Sequence, residues 1–148
     1  MEILPASFHD LSALHKLERA CFGRDAWPIL DLIAVLTFPG VVRLKAVQDG
    51  GMIGFVAGDP RPSHGFSWIA TISVLSVYRR RGVARALLRE CERLLRTPSI
   101  RLCVRISNQA AIQLYEQEGY RTIDIWRKYY NDGEDAMVME KTRQPTVL

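Results

Sequence analysis

Long apolar runs are missing from this sequence. The longest dense apolar stretch, Ile29 to Leu36, has eight residues and is interrupted by Asp31, whereas a membrane-spanning helix needs about 20. The first residues also lack the basic flank and apolar block of a secretory signal peptide. The sequence therefore predicts a chain with no membrane span and no secretory signal.

Cysteine is scarce as well. The three cysteines are Cys21, Cys91 and Cys103, and an odd number cannot pair completely within one chain. This count excludes a disulfide-rich scaffold, and it favours a reducing compartment, so that we expect a cytoplasmic protein.

Linkers, repeats and low-complexity tracts are also absent. With 148 residues, 48% hydrophobic and 24% charged residues, the chain has the size and composition of one globular domain, not of a disordered or collagen-like protein. We therefore expect a single domain over residues 1–148. Its Pro- and Gly-rich stretch, Gly58 to Gly65, is interpreted as a loop.

Hydrophobic periodicity predicts a mixed α and β protein. In the first half we expect a strand at Glu2–Pro5, a helix capped by Asp10, and a second helix that starts at Pro28. Three consecutive antiparallel strands follow, with a hairpin turn at Asp49-Gly50-Gly51. Their predicted ranges are Val41–Gln48, Met52–Ala57 and Ser67–Val77.

The second half continues the alternation of helices and strands. An amphipathic helix is predicted over Arg81–Arg96, and strict alternation predicts a strand over Ile100–Ile106. Ser107 or Asn108 can cap the next helix, which ends at Gly119. Two final strands, Tyr120–Tyr130 and Ala136–Glu140, flank the turn Asn131-Asp132-Gly133.

Positive charge is concentrated in one segment. The chain has a net charge of +4, but residues 79–105 hold nine arginines and two glutamates, a net of +7, so that the remaining residues total −3. Such a patch indicates an anionic partner, either a phosphorylated cofactor or a nucleic acid. The segment has no interleaved aromatic residues, which disfavours nucleic acid.

Four of these arginines (Arg79, Arg80, Arg81 and Arg85) lie at the start of a predicted helix. Cations are unfavourable there by about 0.3–1 kcal/mol each, because the helix N-terminus is the positive end of the helix dipole. An anion would remove this cost, and Gly82 would let the backbone approach it. Neither GxxxxGK[ST] nor GxGxxG is present, so a pyrophosphate cradle of another kind and a merely solvated basic helix start remain the two interpretations.

The motifs resemble those of the GNAT N-acetyltransferases. The segment Arg79-Arg80-Arg81-Gly82-Val83-Ala84 is similar to that family's acetyl-CoA signature R/Q-x-x-G-x-G/A, and residues 102–112 and 114–120 resemble its second half. Tyr129-Tyr130, followed by Asp132-Gly133-Glu134, narrows the resemblance to RimI-type enzymes, which acetylate the N-terminal alanine of a ribosomal protein.

This resemblance implies a GNAT fold: a twisted, mostly antiparallel sheet of about seven strands with helices on both faces. It also implies that acetyl-CoA is bound by two groups of residues. The pantetheine arm would pair with the backbone of Ile72, Ser73 and Val74 and contact Asn108. The pyrophosphate would be held by Arg79, Arg80, Arg81, Gly82, Val83, Ala84 and Arg85.

Acetyl transfer to an amine also needs a base for the amine and an acid for the departing thiolate. The resemblance places Tyr115 beside the thioester sulfur as the acid. RimI-type enzymes carry Glu, and some relatives His, where this sequence has Cys103. Cys103 is either a thiolate stabilised by Arg101 and Arg105, which would act as a base, or a small residue that fills the cleft.

The missing Glu favours one class of acceptor. At pH 7 an N-terminal amine with a pKa near 8 is neutral in about one molecule in ten, at a cost of about 1 kcal/mol, whereas a lysine is neutral in about one in 2,500, at about 4.6 kcal/mol. The favoured acceptor is therefore a protein N-terminus, by direct attack in a ternary complex. A small amine is the alternative acceptor, and a non-catalytic acyl-CoA-binding module or a nucleic-acid binder are minority interpretations.

The remaining candidates are acceptor-side aromatics and charged residues. By resemblance Tyr129 and Tyr130 bind the acceptor, and Trp68 and Trp126 could line the same cleft. The histidines are scattered without metal-ligand spacing, so that no metal is predicted. Three acidic residues could attract a cationic peptide, but acidic residues in a turn are more commonly solvated, and this is what we expect of Glu118, Glu134 and Asp135.

Overall fold

The computed structural model describes residues 1–143 of the chain. Within this range it contains four α-helices and a seven-stranded sheet with the strand order β1-β2-β3-β4-β5-β7-β6. The helices are α1 (Leu11–Phe22), α2 (Ile29–Thr37), α3 (Val83–Leu94) and α4 (Gln109–Gln117). The strands are β1 (Glu2–Pro5), β2 (Val42–Gln48), β3 (Gly51–Arg61), β4 (Phe66–Val74), β5 (Ser99–Arg105), β6 (Arg121–Trp126) and β7 (Ala136–Thr142). The predicted mixed class and seven strands are confirmed.

The described residues group into two compact units. The first comprises residues 1–59 and 70–95, and the second comprises residues 60–69 and those from 96 onward. Strand β4 therefore contributes its first residues to the second unit and its last residues to the first. The expectation of a single domain stays a prediction, and the two units are described separately below.

The β2–β3 hairpin of the first unit forms where the sequence predicts it. Asp49 and Gly50 adopt left-handed φ values of 53° and 77°, the conformation that a tight hairpin turn requires. Gln48 and Gly51 pair across the turn, and β2 also pairs antiparallel with β1. The predicted third strand is too long, because residues Ser76–Tyr78 form a 3-10 turn after β4 ends at Val74.

Helices α1 and α2 of the first unit cover a core that includes β3. Leu14 and Leu17 from α1 pack with Leu32 and Leu36 from α2 around Phe55, and all five are at least 98% buried. Burying each such side chain contributes about 1.5–3 kcal/mol. The apolar spacing that predicted both helices therefore marks their core-facing sides.

The predicted capping role of Asp10 is wrong. Its carboxylate makes no capping bond to α1. Instead it accepts a 2.8 Å hydrogen bond from the Ser7 amide and a 2.7 Å bond from Lys45 Nζ. Lys45 lies on β2, so the tertiary structure supplies a partner that competes with the local cap.

Helix α3 packs closely on β3 in the same unit. A Cβ at Gly54 would lie 2.9 Å from the Leu87 side chain, and one at Gly58 would lie 2.8 Å from Cys91 Sγ. Such distances are too short for carbon contacts, so the two glycines allow the helix to approach the strand. This packing fixes the position of α3, whose N-terminus carries the predicted phosphate site.

In the second unit β5 is the central strand. It pairs in parallel with β4 over three residues, Phe66–Trp68 with Ser99–Arg101, and antiparallel with β7 along its whole length. Ile100, Leu102 and Val104 are buried, and the alternate residues are half-exposed. The predicted alternation is confirmed. Strand β6 is shorter than predicted because it ends at Trp126, just before Lys128 turns to a left-handed φ of 53°.

Candidate functional site

The end of β4 and the loop after it form one compact arrangement in the first unit. The Val74 carbonyl accepts a 3.1 Å hydrogen bond from Arg79 Nε and a 3.4 Å bond from the Cys21 thiol. Arg79 therefore folds back onto the strand that the sequence assigns to the pantetheine arm. This carbonyl already has two donors, which leaves the neighbouring backbone groups as the candidates for contacts with that arm.

The loop that leads into α3 has an unusual backbone. Arg80 has a left-handed φ of 63°, and Gly82 has a φ of 79°. A side chain at either position costs conformational energy, which explains the glycine at 82 but makes Arg80 a strained exception. Arg81 lies over the Tyr78 ring, with 5.6 Å between the guanidinium carbon and the ring centroid. The turn thus holds two adjacent arginines at the start of the helix.

The N-terminus of α3 has no side-chain cap. Its capping residue is Gly82, and the first amide that bonds within the helix is that of Ala86, which donates to the Gly82 carbonyl at 3.0 Å. The amides of Val83 and Ala84 lie ahead of it and have no partner within the helix. Apart from its two chain neighbours, no described residue comes within 4 Å of a Cβ built at Gly82. Helix-start amides without a partner in the helix, open space and cationic side chains together suit an anion.

A buried hydroxyl lies on the same strand. Ser73 is 4% exposed, and its Oγ atom has no hydrogen-bond partner among residues 1–143. Buried polar atoms are satisfied in nearly all native proteins, so an unsatisfied one calls for an explanation. The family resemblance implies that the backbone of Ser73 pairs with the pantetheine arm, which stays a prediction, and the structure also leaves its hydroxyl available for a hydrogen bond.

A buried acid that the sequence analysis did not identify lies close by. Glu18 of α1 is fully buried; one carboxylate oxygen accepts a 3.0 Å bond from the Thr71 hydroxyl, and the other, Oε2, has no partner among the described residues. Burial raises the pKa of Glu18, against the opposing effects of hydrogen bonds from Thr71 and the Trp27 amide. Position 18 falls on the apolar face of α1 with Leu14. A charged residue on the apolar face of a helix is the sequence feature that could have identified this buried acid.

In the second unit, Cys103 lies on β5 between two arginines that are already paired. Arg101 Nε is 2.7 Å from Glu140 Oε2, and Arg105 Nη1 is 2.8 Å from Glu134 Oε1. Burial raises the pKa of the Cys103 thiol to about 11. The arginines therefore do not stabilise a thiolate, and at neutral pH Cys103 is a thiol. This does not support the interpretation of Cys103 as a cation-stabilised base.

Tyr115, the predicted acid, is buried in α4. It is 7% exposed and contacts the Tyr120 ring edge-on, with 5.9 Å between the ring centroids. Burial is the main cause that raises the pKa of Tyr115, and the charge interaction with the Tyr130 phenol is the second cause. Tyr115 therefore keeps its proton throughout the neutral pH range, as a proton donor must.

Tyr129 and Tyr130 meet edge-on, with 5.1 Å between the ring centroids. Burial, followed by the Cys103 thiol, raises the pKa of both phenols, that of Tyr130 to about 12. The structure thus brings together four predicted site residues of this unit: Cys103, Tyr115, Tyr129 and Tyr130. Trp126 lies 5.5 Å from Tyr129 and 5.8 Å from Trp68, measured between ring centroids, which extends the group as an aromatic row.

Asn108 has a structural role in the second unit. It is the N-cap of α4, and its side-chain oxygen accepts a 3.2 Å bond from the Ala111 amide. This confirms one of the two predicted caps. The contact of Asn108 with the pantetheine arm stays a prediction.

The expectation that three acidic residues are merely solvated is wrong. Glu118 is 8% exposed. Glu134 accepts hydrogen bonds from Arg105 and from the Ser107 amide, and Asp135 accepts one from the Lys128 amide. The two partners of Glu134, Arg105 and Ser107, are 29 and 27 residues away in the sequence, so no local pattern could have shown them.

No helix within residues 1–143 is long and apolar enough to cross a membrane. No group of three or more His, Cys, Asp or Glu side chains in that range is arranged to hold a metal ion.

Comparison with known proteins identifies the relatives of this chain. Residues 11–120 match the profile of the acetyltransferase (GNAT) family. An N-alpha-acetyltransferase from Sulfurisphaera tokodaii is 35% identical over 90% of this chain and 88% of the relative. The N-alpha-acetyltransferase RimI from Mycobacterium tuberculosis is 33% identical over 89% of this chain and 86% of the relative.

A solved structure agrees with these sequence matches. The ribosomal-protein-S18-alanine N-acetyltransferase from Escherichia coli superposes with a TM-score of 0.86 at 28% identity, over 99% of this chain and 96% of that one. The resemblance inferred from residues 79–84 and from the second half of the sequence is thereby confirmed. The chain belongs to the GNAT family of acetyltransferases.

Proposed function

We propose that this GNAT acetyltransferase transfers the acetyl group of acetyl-CoA to the N-terminal α-amine of a protein. The observation that carries the acceptor assignment is the neutral Cys103 thiol on β5, at the position where RimI-type enzymes have a glutamate. A site without a strong base handles an amine that loses its own proton near neutral pH far better than a lysine. The names of the relatives, N-alpha-acetyltransferases among them, support the same acceptor class.

Residues of the first unit fit acetyl-CoA. The uncapped start of α3 offers the Val83 and Ala84 amides to the pyrophosphate, and Arg80 and Arg81 supply positive charge beside it. The unsatisfied Ser73 hydroxyl lies on the strand assigned to the pantetheine arm. The bound thioester supplies an activated acetyl group and a thiolate leaving group. Arg79 contributes indirectly, because its bond to Val74 holds the loop against β4.

Residues of the second unit fit the chemical step. The amine nitrogen attacks the thioester carbonyl carbon, the bond to sulfur breaks, and the departing thiolate takes a proton. Tyr115 is protonated and buried beside Tyr130, and we assign it as the proton donor. The proton of the attacking amine leaves to solvent, because the Cys103 thiol is not a base at neutral pH.

The neutral thiol also favours direct transfer over an acetyl-cysteine intermediate. A thiol is a poor nucleophile until it is ionised, and the pKa of Cys103, about 11, leaves roughly one molecule in ten thousand as thiolate at pH 7. A ternary complex in which the amine attacks acetyl-CoA directly is therefore the mechanism we propose.

The finer details follow the family. A ribosomal protein in a reducing cytoplasm is the acceptor that resemblance to the RimI-type relatives favours. Tyr129 and Tyr130, which are exposed or half-exposed next to Cys103, are the residues we assign to its first positions. Nucleic acid is not required as a partner, because Arg93, Arg101 and Arg105 of the basic segment each pair with a carboxylate.

The test is an acetylation assay with acetyl-CoA and a peptide library. The library contains peptides with a free N-terminus and no lysine, matched peptides with a blocked N-terminus and one lysine, and a panel of polyamines and amino acids. Mass spectrometry locates the added acetyl group. We expect acetylation of free N-termini at least tenfold faster than that of lysines. Equal rates on lysine peptides, or activity on small amines alone, would overturn the proposed acceptor.

A further inference from the structure

The loop that presents Tyr129 and Tyr130 is tightly organised. We call residues 128–135 the tyrosine loop. The Lys128 amide donates to Asp135 Oδ1 at 2.9 Å, and the Gly133 amide donates to the Tyr130 carbonyl at 2.9 Å. The Tyr130 amide donates to the Glu134 carbonyl at 3.2 Å. These bonds define the shape of the loop, but they do not attach it to the rest of its unit.

Arg105 of β5 provides that attachment. Its Nη1 atom donates to both carboxylate oxygens of Asp132, at 2.9 and 3.0 Å, and to Glu134 Oε1 at 2.8 Å. The guanidinium carbon lies over the Tyr130 ring, 4.1 Å from its centroid. One side chain thus contacts the loop at three residues.

Glu134 connects the same loop to the start of α4. While its Oε1 atom accepts from Arg105, its Oε2 atom accepts a 2.9 Å bond from the Ser107 amide. Bonds with Ser107 and Arg105 lower the pKa of Glu134, and the Glu134 amide followed by Arg105 lowers that of Asp132. Both carboxylates are therefore ionised at neutral pH, and the contacts with Arg105 are charge-assisted.

The geometry requires arginine. A guanidinium can donate to two carboxylates from its edge while its flat face stacks on a ring, whereas a lysine ammonium is a compact point charge with no flat face to stack. Arg105 is 22% exposed in its side chain, so solvent screens these contacts less than those of a surface pair. Loss of the guanidinium would leave the loop attached through the Ser107–Glu134 bond and through a 3.3 Å bond from the Ile106 amide to the Asp135 carbonyl.

We propose that Arg105 is a positioning residue for the acceptor: it fixes the tyrosine loop so that Tyr129 and Tyr130 are ready to bind the polypeptide N-terminus. This inference rests on the proposed function, since it assigns the acceptor site to this loop. It requires that Arg105 affect acceptor binding and leave coenzyme binding unchanged. The residues assigned to the pyrophosphate belong to the first unit, and Asn108, assigned to the pantetheine arm, bonds to the Arg105 backbone carbonyl, which a side-chain substitution keeps.

Arg101 offers a matched control on the same strand. It also stacks on an aromatic ring, with its guanidinium carbon 4.1 Å from the Phe66 centroid, and it also pairs with a carboxylate, that of Glu140. It precedes Arg105 by four residues and points to the same face, but its contacts are with β4 and β7 instead of the tyrosine loop. Replacing Arg101 thus reproduces the chemical change without touching the loop.

The experiment compares Arg105→Ala, Arg105→Lys and Arg101→Ala in the full chain. We measure acceptor KM and kcat with the best N-terminal peptide, acetyl-CoA Kd by calorimetry, and hydrogen exchange of the peptide that covers residues 128–135. We expect both Arg105 variants to raise the acceptor KM about tenfold or more and to speed exchange in the loop. Arg101→Ala should stay within twofold of wild type, and acetyl-CoA Kd should not change in any variant.

Glu134→Gln serves as a second variant if Arg105→Ala does not fold. It keeps an oxygen for one donor and removes the charge, so we expect a smaller rise in acceptor KM with the same unchanged coenzyme affinity. Equal effects of Arg105→Ala and Arg101→Ala, or an unchanged acceptor KM, would overturn the inference while the proposed function stands. A wild-type protein that acetylates no N-terminal peptide would overturn the proposed function and the acceptor role of Arg105 together.

Discussion

The Thr71 hydroxyl donates a 3.0 Å hydrogen bond to Glu18, and both side chains are buried. The pair joins α1 to β4, one residue before the stretch assigned to the pantetheine arm. Burial raises the pKa of Glu18, and its Oε2 atom has no hydrogen-bond partner within residues 1–143. A buried carboxylate in this situation destabilises the fold when it is ionised.

Glu18→Gln should therefore stabilise the protein at neutral pH. Burial raises the pKa of Glu18 above its value in the unfolded chain. Between these two pKa values the folded state binds more protons than the unfolded chain, so the free energy of unfolding falls as the pH rises from one to the other. We expect the variant to raise the free energy of unfolding by about 1 kcal/mol at pH 7, with the gain shrinking as the pH falls through the raised pKa and lost below about pH 4.5, the ordinary pKa of the group. Urea denaturation at several pH values measures this.

Thr71→Val is the control for that prediction. It removes the hydroxyl donor and should cost about 1–3 kcal/mol at pH 7, and less in the Glu18→Gln background, where no charge is left unsatisfied. A Glu18→Gln gain that is the same at pH 4 and pH 8 would contradict the assignment of the effect to ionisation.

Tyr115→Phe should reduce turnover without weakening coenzyme binding. The variant removes the proposed proton donor and keeps the buried ring, so we expect kcat to fall about 10²- to 10⁴-fold and acetyl-CoA Kd to stay within twofold. Steady-state kinetics and calorimetry measure the two quantities. Tyr120→Phe is the matched control, since Tyr120 is a buried tyrosine in edge-on contact with Tyr115. If both variants lose the same activity, Tyr115 is not the acid.

Cys103 should leave no trace in the pH dependence of the reaction. Because burial raises the pKa of its thiol to about 11, kcat/KM should rise with pH until the acceptor amine is neutral, near pH 8, and then level off. Cys103→Ala should keep this profile. Cys103→Glu introduces the base found in RimI-type enzymes and should raise the rate most below pH 7. A bell-shaped profile that disappears in Cys103→Ala would show that the thiol does take part.

Arg80→Ala should weaken acetyl-CoA binding. Losing one charge-assisted contact costs about 1.5–3 kcal/mol, which corresponds to a Kd higher by about 10- to 150-fold. The loss should shrink at high salt. Arg93→Ala is the control, on the helix that follows the Arg80 loop, because Arg93 is paired with Glu90 on an exposed face. Equal losses for the two variants would indicate a general effect of net charge instead of a local cradle.

Much of the fold could be predicted because local patterns report it. The alternation at Ile100–Val104 gave β5, the Asp49-Gly50 turn gave the hairpin, and the apolar stripe of α3 gave its helix. The predicted ends of strands were less accurate where a residue adopts a backbone conformation that its type does not favour. Lys128, with its left-handed φ just after β6, is the example. The proposed pyrophosphate site rests on arginines and a glycine, Gly82, that are adjacent in sequence, so it could be proposed from the sequence, and its contact with the coenzyme stays a prediction.

The sequence by itself determined the order of helices and strands, the arginine-rich start of α3 and the replacement of an expected glutamate by Cys103, because each depends on neighbouring residues alone. Only the tertiary structure decided which charges meet. Thr71 and Glu18 are 53 residues apart, Arg101 and Glu140 are 39 apart, and Arg105 and Asp132 are 27 apart. Burial and pairing set the protonation of Glu18 and Cys103, and both arise only when distant segments pack together.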